Sequence, residues 1–268
     1  MSDDQLKIVK SNALIQAAYR LTLGETRIIL AAIAQVRRDG TPTDEEMYEV
    51  RANALADISG IAAKKAYDQL QAAAEKLETR RVRFFSGPNH ETQPRVRSTG
   101  WVQTVEYIPG EGRIMLRFSK DILPYLSQIK NQYTRYNLEN VASMRSTFGI
   151  RLYELLQQWR QKGEREIDQD DLRRMFGVPE DSYKALKDLK KRVIEPAVRD
   201  VNECSDLSVT WGQRKVGRRV TAIQFGFHPK HEEKPKKSKD LTKKEIERLA
   251  KPGETWEQAQ QRLKKAEA

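Results

Sequence analysis

The sequence predicts an α+β protein made of two tandem winged-helix domains related by internal duplication. Three observations carry this reading. A basic amphipathic helix followed by a strand pair with a basic tip occupies Ser182–Phe227. The segment Glu49–Ile61 can be laid on Glu166–Val178 at a constant offset of 117, matching in kind at six positions. A second helix and a hairpin then follow each copy in the same order.

Length and composition set the frame. The 268 residues leave room for two domains that each bury a core. The hydrophobic fraction is 38%, with no apolar run near the ~20 residues of a membrane span. The N-terminus MSDDQLKIVK lacks the apolar stretch of a signal peptide, so a cytoplasmic protein is expected. One cysteine, Cys204, rules out an internal disulfide framework and is expected as a small buried side chain near the hairpin base. The net charge of +11 points to a polyanionic partner, double-stranded DNA first, and residues 1–228 keep +7 of it.

Residues 1–11 are polar and expected to be loose, with a first helix over Asn12–Tyr19. Thr22-Leu-Gly-Glu25 has the form of a capping box, so a helix is expected to start there. It continues to Val36 and stops at the basic turn and glycine of Arg37, Arg38 and Gly40. This helix is unusually apolar. Core is its default place, but it also fits a subunit interface, with Ile29, Ile33 and Val36 as dimerisation candidates.

In each copy of the repeat a short strand leads into a helix with apolar residues three apart, then a glycine and a β-branched residue. That pattern builds a helix-turn-helix, glycine supplying the left-handed turn. With a one-residue shift, Tyr67, Leu70 and Leu77 play the part of Tyr183, Leu186 and Val193 on the next helix. A hairpin over Trp101–Phe118, turning at Pro109–Gly112, corresponds to strands Leu207–Gln213 and Val220–Phe227. The join is expected near Pro124–Tyr133, and a long helix over Ser146–Lys162 opens the second unit. The domains are thus 1–127, for dimerisation and DNA binding; 128–228, for the main DNA binding; and 229–268, a charged linker and tail. In that tail, solvated chain outranks short helices at Leu241–Leu249 and Glu254–Ala268.

The candidate DNA contacts follow from charge and period. On the helix after Ser182, the stripe Tyr183, Leu186, Leu189, Val193 and Ala197 faces a core, while Lys184, Lys187 and Lys191 repeat on another face. Pro196 should stop or kink this helix near Glu195. Arg214, Lys215, Arg218 and Arg219 sit at the wing tip. In the first unit Lys64, Lys65 and Gln69 occupy the corresponding helix, with Arg81 on the next strand. Arg145, ahead of the helix that carries Arg151, is a candidate phosphate clamp. Helices of two such units can enter successive major grooves, roughly 34–36 Å apart.

No catalytic set is legible, and no cofactor is expected. The G-x-x-x-x-G-K-[ST] phosphate loop is absent from the sequence, and His90, His228 and His231 have neither metal-ligand spacing nor a strand-paired arrangement with a tyrosine. A non-enzymatic, metal-free DNA-binding protein is expected. A chromosomal winged-helix regulator shares this binding chemistry and stays open at this point.

The phrases STFGIRLYELL (Ser146–Leu156), RVIEPAV (Arg192–Val198), Asn202 and GRRV (Gly217–Val220) resemble the initiator Rep proteins of iteron-regulated bacterial plasmids. The resemblance spans roughly residues 7–228. It implies binding to directly repeated origin sites, origin opening, and recruitment of the host replication initiator and helicase. It also implies autorepression as a dimer, with the first domain supplying the dimer contact. The tail is less characteristic of the family.

Overall fold

The computed structural model describes residues 7–37, 42–88, 92–108, 110–127, 129 and 131–230, and the described residues belong to one compact unit that ends at Lys230. His90, Arg38, Gly40, Pro109 and the tail with His231 lie outside the described residues.

The chain opens with β1 (Lys7–Ser11), α1 (Asn12–Gln16) and β2 (Ala18–Tyr19). The expected loose leader is therefore a strand from Lys7 onward. It pairs antiparallel with β8 (Tyr133–Asn137), from Lys7↔Asn137 to Ser11↔Tyr133. Alternation explains it: Ile8 and Lys10 point inward, and the polar Lys10 is admitted because Glu154 waits for it. The pairing also runs across the expected 127/128 division.

α2 (Leu23–Ile33) begins at the Thr22/Glu25 capping box, with both reciprocal hydrogen bonds in place. Ile29, Ile33 and Val36 are buried in the chain's own core. They present no surface to a second copy in this conformation.

The two winged helices repeat each other strand for strand. The first contains β3 (Tyr48–Arg51), α3 (Ala52–Ser59), α4 (Ala63–Ala74), β6 (Val102–Ile108) and β7 (Arg113–Phe118), in sheet order β3-β7-β6. Between its second helix and hairpin runs a separate sheet of β2, β4 (Arg81–Ser86) and β5 (Thr92–Gly100). The second winged helix follows α5 (Glu139–Ala142) and α6 (Thr147–Gln157). It contains β9 (Glu164–Asp168), α7 (Gln169–Met175), a long helix, β10 (Leu207–Val216) and β11 (Arg219–Pro229), in order β10-β11-β9. In both copies the strand before the helix pair lies against the second hairpin strand. Gly60 and Gly177 take φ of 61° and 64°, as the turns require. Ser146, the expected start, is the extended N-cap of α6, its hydroxyl accepting from the Phe148 N-H, and the helix is α-helical only to Gln157.

The long helix departs from expectation at both ends. It starts at Leu186, and Tyr183 lies before it with φ of 51°, so the turn after Gly177 is longer than the one after Gly60. The equivalence of Tyr67 with Tyr183 fails, because Tyr67 is on α4. Nor does the helix break at Glu195. α8 (Leu186–Leu189) passes through a π-turn over Lys190–Ile194 into α9 (Glu195–Cys204), the Glu195 N-H donating to the Lys190 carbonyl. The widened turn relieves the clash that the Pro196 ring makes in a regular helix and absorbs its missing N-H. Cys204 is half-buried at the helix end.

Buried charge stitches the N-terminal elements to α6 and α7. Lys10 Nζ donates to Glu154 Oε1 at 2.6 Å, and Tyr136 donates to the same oxygen at 2.5 Å. The Arg151 guanidinium donates to the carbonyls of Ile15, Ala17 and Met175 and to Tyr19. Burial alone raises the Glu154 pKa, but the charges of Lys10 and Arg151 with these hydrogen bonds outweigh it and hold the carboxyl below its ordinary range. Arg27 of α2 donates to the carbonyls of Ala142 and Met144 at 3.1 and 3.0 Å, satisfying the end of α5.

Candidate nucleic-acid interface

The second winged helix gathers most of the expected contacts. Lys187 and Lys191 project into solvent from the long helix, joined by Arg192 and Arg199. The opposite stripe, Leu189, Val193, Ala197 and Val201, is buried. Arg199 escaped the sequence reading because the helix was expected to stop or kink near Glu195, whereas it continues through the π-turn to Cys204.

Lys184 is exposed but stands in the turn before the helix, not on its face. That turn is built. Arg173 of α7 donates to the carbonyls of Tyr183, Ser182 and Pro179 at 2.9, 2.5 and 3.3 Å. Arg173 therefore positions the segment that carries Lys184. Its signal was missed because an arginine in the last turn of a helix reads as simple dipole compensation.

The wing is a two-stranded ribbon at its outer end. β9 pairs with β11 only over Ala222–Gly226, while β10 and β11 continue together to Val216↔Arg219. A register shift at Arg214/Lys215 marks a bulge, which increases local twist. Arg214 lies at the root of this ribbon and pairs with Glu166 at 3.1 Å and Asp168 at 3.8 Å. Lys215, Arg218 and Arg219 are exposed and have no hydrogen bond or ion pair among the described residues. They form the free positive end of the wing.

Arg145 belongs to a different patch. Its side chain is 78% exposed and 3.4 Å from Glu203, and its backbone N-H donates to Asp200. Glu203 is sixteen residues beyond Lys187, or ~24 Å along a helix axis, so Arg145 sits at the far end of the long helix.

The first winged helix is less committed. Lys64 and Lys65 are exposed at the start of α4, where Asp68 accompanies them. Gln69 does not face outward. Its side-chain carbons pack over Gly24, 3.1 Å from where a Cβ would stand, and its amide oxygen is buried without a partner. The absence of a side chain on Gly24 lets α4 settle that closely onto α2. Arg81 lies on β4, outside the hairpin sheet, and donates to Ser98. At the hairpin, Arg113 pairs with Glu49 and Glu111 at 2.6 Å each. Hydrogen bonds from Arg51 and Arg113 hold the Glu49 carboxyl below its usual value. This wing spends its charge internally.

Among the described residues no group of His, Cys, Asp and Glu could hold a metal ion, and no helix is long and apolar enough to cross a membrane.

The chain shares 29% identity over 229 residues with a Replication initiation protein of Escherichia coli, covering 82% of this chain and 69% of that protein. It shares 22% over 253 residues with the PI protein of Escherichia coli, covering 82% of each. Its fold superimposes on the crystal structure of Pi initiator protein in complex with iteron DNA with a TM-score of 0.71 at 20% identity, covering 86% of this chain and all of that one. Residues 7–157 match the family pattern "Initiator Replication protein, WH1" and residues 168–227 match "Initiator Rep protein, WH2". With both winged helices in family order and covering most of its length, the chain belongs to the initiator replication protein family.

Proposed function

We propose that this protein initiates plasmid replication by binding directly repeated duplex sites at an origin, helping to open it, and recruiting the host replication initiator and helicase. The observation that carries the reading is the pairing of an exposed basic helix with a basic wing tip whose Lys215, Arg218 and Arg219 have no partners among the described residues, on a chain that carries the same helix-and-hairpin unit a second time in less basic form. A related fold, that of Pi initiator, is solved in complex with iteron DNA. Lysines and arginines at the wing would hold phosphates and fix register, and the helix would read the major groove. The protein supplies no chemistry of its own in this scheme; it binds and deforms DNA.

Repression of its own gene by a dimer completes the proposal. Because Ile29, Ile33 and Val36 are buried, self-association through them requires a second conformation in which α2 is uncovered.

Footprinting on the supercoiled parent replicon tests the scheme. Protection of tandem repeats about two helical turns in length, without nicking, is the expected result. A lone protected promoter site would turn the reading toward a transcriptional regulator, and a nick would overturn the non-enzymatic part. Sedimentation as monomer alone at all concentrations would remove the dimer.

A further inference from the structure

The wing tip carries one side chain that phosphate binding does not use. Val216 is 66% exposed, the highest value among the large hydrophobic residues described. A solitary exposed valine is ordinary, since apolar atoms form much of any protein surface. Its setting is not. It occupies the last rung of the ribbon opposite Arg219, and Gly217 turns the chain beside it with φ of 59°. A Cβ placed on Gly217 or on Gly212 would meet nothing within 4 Å, so the ribbon is bare there.

Lys215, Arg218 and Arg219 flank the valine, all exposed and without partners among the described residues. Arg214 is tied to β9 at the root, which fixes where the ribbon leaves the sheet. The corresponding tip in the first domain is built otherwise: Gly110, Glu111 and Gly112 place an acid there, and Glu111 pairs with Arg113. Among the described residues, only the second wing joins an apolar apex to cations without partners. Cations on both sides of a narrow tip suit the two phosphate rows that border a groove, and the apex then lies over the groove itself. The minor groove, about 6 Å wide, excludes a helix but admits an aliphatic side chain.

We propose that Val216 enters the minor groove and favours A·T pairs there, a specificity contact separate from the phosphate contacts around it. The chemistry is steric: G·C pairs raise an amino group from the groove floor, and A·T pairs leave room for methyl groups. This inference rests on the duplex-DNA reading above.

The probe is a duplex selected by the unaltered protein from a random-sequence pool, with A·T steps near the wing changed singly to G·C or to I·C. Inosine keeps the A·T minor-groove face. The unaltered protein should bind I·C duplexes as it binds A·T and lose about tenfold on G·C at those steps. Val216→Ala should bind the A·T duplex about five- to tenfold more weakly, lose the discrimination, and keep the salt dependence. Val216→Ile should retain both affinity and discrimination, and Arg218→Ala should flatten the salt dependence by about one charge. Unchanged melting of Val216→Ala would show that the fold is intact. Affinity or discrimination unaltered in Val216→Ala overturns the proposal, as does a loss on I·C equal to that on G·C or a changed salt slope in Val216→Ala. Failure of the unaltered protein to select any duplex overturns the DNA reading itself.

Discussion

Gly60 and Gly177 hold the same place in two copies of one fold and share a left-handed backbone, yet their surroundings have nothing in common. A Cβ on Gly60 would stand in open space, whereas on Gly177 it would run into the carbonyl oxygen of Tyr19. The first turn needs only the conformation. The second needs the conformation and the vacancy, because the N-terminal segment packs directly against it. The same divergence recurs along both domains: α4 settles onto Gly24 and its hairpin neutralises its own arginine, while the second domain lengthens its turn, inserts a π-turn and, with Arg214 paired at the wing's root, leaves the three cations at the wing tip without partners among the described residues. Duplication kept what the backbone requires and released what each surface faces.

The sharpest way to break the comparison is to mutate the paired glycines. Gly177→Ala should cost about 4 kcal/mol, combining backbone strain with a clash against main chain, and Gly60→Ala about 1–2 kcal/mol from strain alone. Chemical denaturation of both variants measures it, and equal losses would show that Tyr19 yields. Next in size, Glu154→Gln should cost about 3 kcal/mol near neutral pH by leaving Lys10 and Arg151 without their buried counter-charge. The sign with pH follows from its lowered pKa: the carboxylate contributes fully above the ordinary value of 4.5 and loses its contribution as pH falls through the lower folded value. The gap between Glu154→Gln and the unaltered protein should therefore narrow only in acid, and a gap that closes already near pH 6 would refute the buried anion.

The smallest effects compare the two grips on DNA. Lys187→Ala should weaken binding about fivefold and reduce the salt slope by about one, and Lys64→Ala should do less on both counts. Equal effects would make the two helices equivalent despite their different charge.

Much of this was legible in the sequence because it is local. The capping box at Thr22, the turn glycines and the alternating hairpins announce themselves within a few residues, and the offset of 117 then doubled the information. What escaped depended on distant partners. Lys7–Ser11 reads as loose because two β-branched residues between lysines are too short a run to mark a strand without the partner at Tyr133–Asn137. Tyr183 fits an apolar stripe by spacing but belongs to a turn organised by Arg173. Pro196 forbids an ordinary helix and says nothing of a wider one. Gln69 has the composition of a base reader, and only the approach of α4 to Gly24 turns it inward. For the binding face, residue type and exposure agreed at Lys187, Lys191, Lys215, Arg218 and Arg219; connectivity removed Lys184 from the helix and placed Arg145 at its far end.

The pairing of β1 with β8 also sets a schedule for synthesis. Asn12 and Thr134, which hydrogen-bond beside it, are 122 residues apart. Loop closure over such a distance is slow, and during translation the first strand emerges long before its partner. The nascent first domain must therefore wait with an open edge until the start of the second domain leaves the ribosome. A chain stalled before Tyr133 is thus exposed to wrong partners, and one that passes Asn137 can close.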